Sequence, residues 1–91
     1  MEKYYALVNE YCNEENDSYY TKVLCVSNNI DALKIKMNEE FACSEEDANN
    51  CFDCDDLRTS VGERSCSISL EFRYNEFHDD YTIYDVDLGL I

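Results

Sequence analysis

Residues 27–42 read SNNIDALKIKMNEEFA, and their periodicity decides the fold. Ile30, Leu33, Met37 and Phe41 recur three or four residues apart, which is one stripe of an amphipathic helix. Ser27 or Asn28 is placed to cap its start, and Asp31 suits the first turn, where a negative charge meets the positive end of the helix dipole. The spacing predicts a helix over 28–42. On both sides of it the period changes. Upstream, KYYALVNEYC (3–12) and YYTKVLCV (19–26) are rich in aromatic and β-branched residues and are parted by the polar run NEENDS, so they read as a hairpin with a loop longer than two residues. Downstream, SCSISLEFRY (65–74) alternates Cys66, Ile68, Leu70, Phe72 and Tyr74 with Ser65, Ser67, Ser69, Glu71 and Arg73, the pattern of a strand with one buried and one wet face. NEFHDD reads as a turn, and YTIYDVDL (81–88) as the returning strand. SEED at 44–47 resembles a capping box, Ser44 with Asp47, and predicts a second short helix to about Phe52.

The resulting order, β-β-α-(α)-β-β, predicts an α+β fold of two layers: an antiparallel four-stranded sheet with one main helix packed on it. At 91 residues the chain is expected to be a single compact domain, 1–91, with a thin core. Its apolar content of 45% is too high for a disordered acidic tail, and two glycines without proline leave no material for flexible linkers. MEKYYALVNEY has neither a basic start nor a long apolar run, so no signal peptide, no membrane contact and a cytoplasmic location are expected. Without an export signal, the six cysteines are expected to be reduced, with Cys25 and Cys66 as small core hydrophobes.

Motifs that carry chemistry are few. Cys51 and Cys54 form a C-x₂-C, and Cys43 and Cys66 flank it, so four thiolates fit tetrahedral zinc by residue type. Only one close pair is present, however, and Cys66 belongs to the strand's buried face. No cofactor is therefore expected, with zinc at Cys43, Cys51, Cys54 and Cys66 as the alternative. A calcium loop counted from Asp53 fails, because Arg58 stands where glycine is needed and Arg64 where a bidentate Glu is needed. His78, the only histidine, falls in the HDD of the turn and reads as a solvated side chain. No glycine-rich phosphate loop, nucleophile elbow or zinc-protease motif occurs, and no catalytic residue is assigned.

Charge is what stands out. The net charge is −14. Between Lys36 and Arg58 lie eight acids and no base: Glu39, Glu40, Glu45, Glu46, Asp47, Asp53, Asp55 and Asp56. After Arg73 come five more, Glu76, Asp79, Asp80, Asp85 and Asp87, again with no base. A solvated face kept for solubility is the plainest reading, but ordinary surfaces intersperse signs and these runs do not. Such a surface repels nucleic acid and anionic lipid and attracts a basic protein. Two flanking runs are placed to join into one anionic surface, with exposed tyrosines as anchors at low entropic cost.

A proline-free, strongly acidic chain of under 100 residues without catalytic motifs resembles the small phage-encoded antagonists of host defence, the anti-CRISPR proteins above all. The resemblance spans the whole chain but lies in size, charge and missing motifs, so no individual residue's role carries over. It implies a non-enzymatic inhibitor in the host cytoplasm that imitates a row of phosphates and occupies the groove of a basic nucleic-acid-binding protein such as a defence nuclease. No direct nucleic-acid contact is implied, and the protein would act as monomer or homodimer. The thirteen acids would form the partner-binding surface. A plain or zinc-stabilised interaction module is the second reading, and a small-molecule-binding protein using its tyrosine-rich sheet the third. The thiol reading has a direct check: under reducing conditions a mild chelator should leave the melting temperature unchanged, and a drop of several degrees would instead support the zinc site.

Overall fold

In the structure, a computed structural model, residues 3–14, 17–51, 57–62, 66–72, 77–86 and 89–90 are described. Their order is β1 (Tyr5–Asn13), β2 (Ser18–Ser27), α1 (Ile30–Cys51), β3 (Leu57–Val61), β4 (Ser67–Phe72), β5 (Phe77–Asp85) and β6 (Gly89–Leu90). The fold is α+β with a single antiparallel sheet. Its path holds five strands rather than the expected four, in the order β2-β1-β5-β4-β3, and the short β6 pairs with the far end of β5. The unforeseen strand is β3. Only Leu57 of it packs on the core, and Arg58 to Val61 are exposed, so no alternation marks it in the sequence.

The first hairpin forms as expected, from Tyr5 opposite Ser27 to Asn13 opposite Ser18. Its register shifts between Leu7 and Val8, which face Cys25 and Val23. Leu24 is thus the extra residue of a β-bulge, and the bulge lets Leu24 and Cys25, although consecutive, both pack against the core. Asp17 closes the hairpin loop at φ 52°, a left-handed conformation that aspartate tolerates better than most residues.

The helix also differs from expectation. Its cap is Asn29, not Ser27 or Asn28: the Asn29 Oδ1 accepts from the backbone N–H groups of Asp31 (3.1 Å) and Ala32 (3.2 Å). Ser27 Oγ accepts instead from the Asn29 N–H at 3.0 Å. No second helix opens at Ser44, because α1 runs unbroken for 22 residues, about 33 Å. Topology explains the length. The connection must carry the chain from one edge strand, β2, across the sheet to the opposite edge strand, β3. Ser44 falls on the buried stripe of Leu33, Met37, Phe41 and Ala48, so it faces the sheet instead of capping.

Strand β5 starts at Phe77, inside the stretch NEFHDD that reads as a turn. It lies between β1 and β4 at the centre of the sheet. Phe77, Tyr81 and Ile83 are buried beside Leu7 of β1 and Ile68 and Leu70 of β4, with Cys66 just before β4. The buried phase of Cys66, Ile68 and Leu70 matches the alternation expected, while Tyr74, Leu88 and the side chain of Phe72 lie outside the described residues. One face of the sheet carries α1. The other bears Ala6, Val8, Glu10 and Cys12 of β1 beside His78, Asp80, Thr82 and Tyr84 of β5. Among the described residues no helix is long and apolar enough to cross a membrane.

Leu33 and Leu70 are each almost fully buried, on the helix and sheet sides of the core. Leu33→Ala and Leu70→Ala are each expected to cost about 2–5 kcal/mol in chemical denaturation, whereas Val23→Ala on the exposed edge strand should stay within about 0.5 kcal/mol. Costs below about 1 kcal/mol at both leucines would contradict the layer packing.

Candidate functional site

The first acidic run begins on α1. Leu33, Met37, Phe41, Ser44 and Ala48 turn inward, which leaves Glu39, Glu46 and Asp47 exposed and Glu40 and Glu45 half-buried. Glu39 and Glu46, seven residues apart, lie in one row about 10 Å long, and Glu40 and Asp47 form a second row beside it. Lys36 bonds Glu40 one turn on, with Nζ to Oε1 at 3.1 Å. That hydrogen bond and the carboxylate's charge hold the lysine above its ordinary pKa. The last turn of the helix carries no basic residue. Glu45, Glu46 and Asp47 lie just before that turn, where the helix dipole acts on them only weakly. Asp53, Asp55 and Asp56, which continue the run, lie outside the described residues.

The second run does not join the first. Asp79 is buried to 3% exposure and Asp85 to 6%, so neither is on a docking surface. Asp80 points to the sheet face away from α1, on the opposite side of the molecule from Glu39 and Glu46. Glu76 and Asp87 lie outside the described residues. The expected single anionic surface thus reduces to the outer face of α1. Alternation along a central strand is the cause: it sends Asp79 and Asp85 inward and Asp80 outward. His78 is corrected likewise. It belongs to β5, is half-buried, and its Nδ1 lies 3.0 Å from Asp80 Oδ2.

Burying carboxylates needs partners, and the structure supplies them. Asn9 Nδ2 donates to Asp79 Oδ1 at 2.5 Å and to the Asp80 carbonyl at 3.1 Å. The Tyr81 hydroxyl donates to Asp79 Oδ2 at 3.3 Å and meets Ser44 Oγ at 2.6 Å. A polar chain thus runs from α1 through β5 to β1. Phe41 packs edge-on against the Tyr81 ring, 6.3 Å between centroids. Asp85 is reached by Lys3 Nζ at 3.5 Å. Among the described residues no buried side-chain N or O atom lacks a partner.

The thiols are dispersed. Cys66 is in the core, Cys43 is exposed on α1, and Cys12 and Cys25 are half-buried; none of the four is in a disulfide. Of the four expected zinc ligands, Cys43 is exposed and Cys66 buried, while Cys54 and the side chain of Cys51 lie outside the described residues. Among the described residues no three His, Cys, Asp or Glu side chains converge on a point that could hold a metal ion. Comparison with protein-family models, with curated proteins and with solved structures finds no match to this chain.

Burial, with Asp79 next to it, pushes the Tyr81 phenol well above its ordinary value. The neutral form is therefore favoured by folding. Its contribution to stability is fully present below the unfolded phenol's pKa of about 10 and is lost as pH rises above it. A spectrophotometric titration should show a phenol that ionises only as the protein unfolds, and Tyr81→Phe should remove that step while costing about 1–2 kcal/mol near neutral pH through the two lost hydrogen bonds. Titration of all eight tyrosines in one step below unfolding would overturn the assignment.

Proposed function

We propose that this protein is a non-enzymatic binding protein whose outer α1 face docks on a basic nucleic-acid-binding protein, in the manner of a nucleic-acid mimic. The observation that carries the reading is the pair of adjacent rows, Glu39 with Glu46 and Glu40 with Asp47, on one helix, with Glu45 at their flank and Lys36 bonded to Glu40. A solubility role has no need of fixed spacing between the charges, since the same charges scattered over the surface would serve. A rigid helix also holds its carboxylates at fixed spacing, as a phosphate backbone holds its charges, and so offers a preorganised ligand to a basic groove. Asp53, Asp55 and Asp56 follow α1 directly in the chain and extend the same run of charge. The resemblance in size and charge to anti-CRISPR proteins makes a defence nuclease the first class of target to test.

Glu46→Lys with Asp47→Lys reverses two exposed charges outside the core, so the melting temperature should change little while binding falls. Against a captured basic nucleic-acid-binding protein, the pair should slow association about tenfold near physiological salt, and the wild-type rate should fall as salt rises. Reversing Glu14 and Glu15, which lie outside both acidic runs, should change it far less. Duplex DNA should compete with the protein for its target. A ternary complex at full occupancy would rule out mimicry, and indifference to both salt and the helix reversal would return the acids to a solubility role.

A further inference from the structure

The face of the sheet turned away from α1 carries a second constellation, independent of the docking surface. Cys12 of β1 stands directly opposite His78 of β5 in the antiparallel register. Directly opposed residues hold their Cβ atoms about 4.5–5.5 Å apart on the same face. His78 is fixed by Asp80, two residues along the same strand, with Nδ1 to Oδ2 at 3.0 Å. In the neutral tautomer that donates its Nδ1 hydrogen to the Asp80 carboxylate, Nε2 carries the lone pair. Cys12 and His78 both line an open cleft of about 400 Å³, walled on the β2 side by Tyr19, the partner of Cys12 across the hairpin. The other charged groups on this face are Glu10 of β1, Glu71 of β4, opposite His78, and Arg58 of β3, opposite Glu71, while Glu14 and Asp17 lie beside Tyr19.

We propose that Cys12 is a reactive thiol, with His78 as its base and Asp80 as the residue that positions the imidazole, and that it undergoes exchange with small cationic or neutral disulfides. Three separate features place the nucleophile, base and orienting carboxylate in the order such chemistry requires: the strand register, the His–Asp hydrogen bond and the shared cleft. In the exchange, Cys12 Sγ gives its proton to His78 Nε2 and attacks one sulfur of the disulfide. The new S–S bond forms as the old one breaks, and the leaving thiolate takes the proton back from the imidazole. The product is a mixed disulfide at Cys12 and one free small thiol. Arg58 offsets Glu71, and the remaining acids Glu10, Asp80, Glu14 and Asp17 give the cleft its selectivity, because they attract a diammonium disulfide and repel a carboxylate-bearing one. Tyr19 supplies an aromatic wall for the carbon chain.

Cys43 is the internal control, being more exposed than Cys12 but lying among Glu39, Glu40, Glu46 and Asp47 without a histidine. The test treats the intact protein with cystamine or with oxidised glutathione at neutral pH and follows each cysteine by peptide mass spectrometry. Cystamine should modify Cys12 about tenfold faster than Cys43, His78→Gln should erase most of that advantage, and oxidised glutathione should react with Cys12 about tenfold more slowly than cystamine does. Circular dichroism and melting establish that the variant is folded. If it is not, the wild-type ratio of Cys12 to Cys43 decides alone. A ratio at or below one, or a folded His78→Gln protein with Cys12 as fast as before, overturns the proposal.

Discussion

One buried carboxylate ties the two layers together. Asp79 sits on the inner face of the central strand, where an isolated charge or an unpartnered carboxyl would be strongly unfavourable. It is tolerated because Asn9 donates from β1 and Tyr81 from β5, and Tyr81 in turn meets Ser44 of α1. Each link constrains the next. Asn9 sets which face of β1 turns inward, because a slip of one residue would send its amide to the opposite face. Ser44 sets the rotation of α1 about its axis, since only one helical face brings a hydroxyl to Tyr81 while Leu33, Met37 and Phe41 reach the core. Hydrophobic burial supplies most of the stability, but it is indifferent to small rotations and slips; the hydrogen-bonded chain is specific to one arrangement.

The same network explains what was legible in the sequence. The stripe from Ile30 to Phe41 and the alternation from Cys66 to Leu70 are apolar on one side and polar on the other, so period alone reveals them. On β5 the inner face reads Phe77, Asp79, Tyr81, Ile83, Asp85. Two of its five inward positions are carboxylates, and periodicity treats a carboxylate as outward. FHDD then reads as a turn, and two core acids read as surface. Ser44 misleads in the same way, as a hydroxyl whose local role as a cap competes with a long-range role that only the folded sheet defines. Strand β3 is hidden for another reason: at the edge of the sheet it has one packed residue, Leu57, and backbone pairing with β4 leaves no mark on side-chain pattern.

The candidate surface was legible in charge but not in geometry. Counting signs found both acidic runs, yet a run of like charges along a strand is divided between two faces, whereas on a helix it is divided by angle. On α1 the division leaves Glu39 and Glu46 in one outward row and Glu40 and Asp47 in the next. On β5 it leaves only Asp80 facing outward among the described residues. The Cys12–His78 pairing had no signal at all in the sequence, because 66 positions separate residues that only strand order brings together.

These divisions give the molecule two chemically distinct sides. The outer face of α1 is anionic, and Cys43 is the thiol it exposes among the described residues. The open face of the sheet holds a thiol, an imidazole and the outward carboxylates Glu10, Glu71 and Asp80. They are separated by the sheet and the core, and the described links between the layers run through Ser44, Tyr81, Asp79 and Asn9, whose side chains all lie on the helix side. Asp79 and Asp80 are adjacent in the chain but act on opposite faces, one holding Tyr81 and Asn9, the other holding His78. A charge or adduct added at Cys12 therefore sits across the sheet from the acidic rows of α1, and a charge change on α1 leaves the cleft beside Tyr19 intact. The docking and the thiol chemistry proposed above are in this way physically separable: each is open to removal by substitution on its own face, away from the buried carboxylate that ties the layers together.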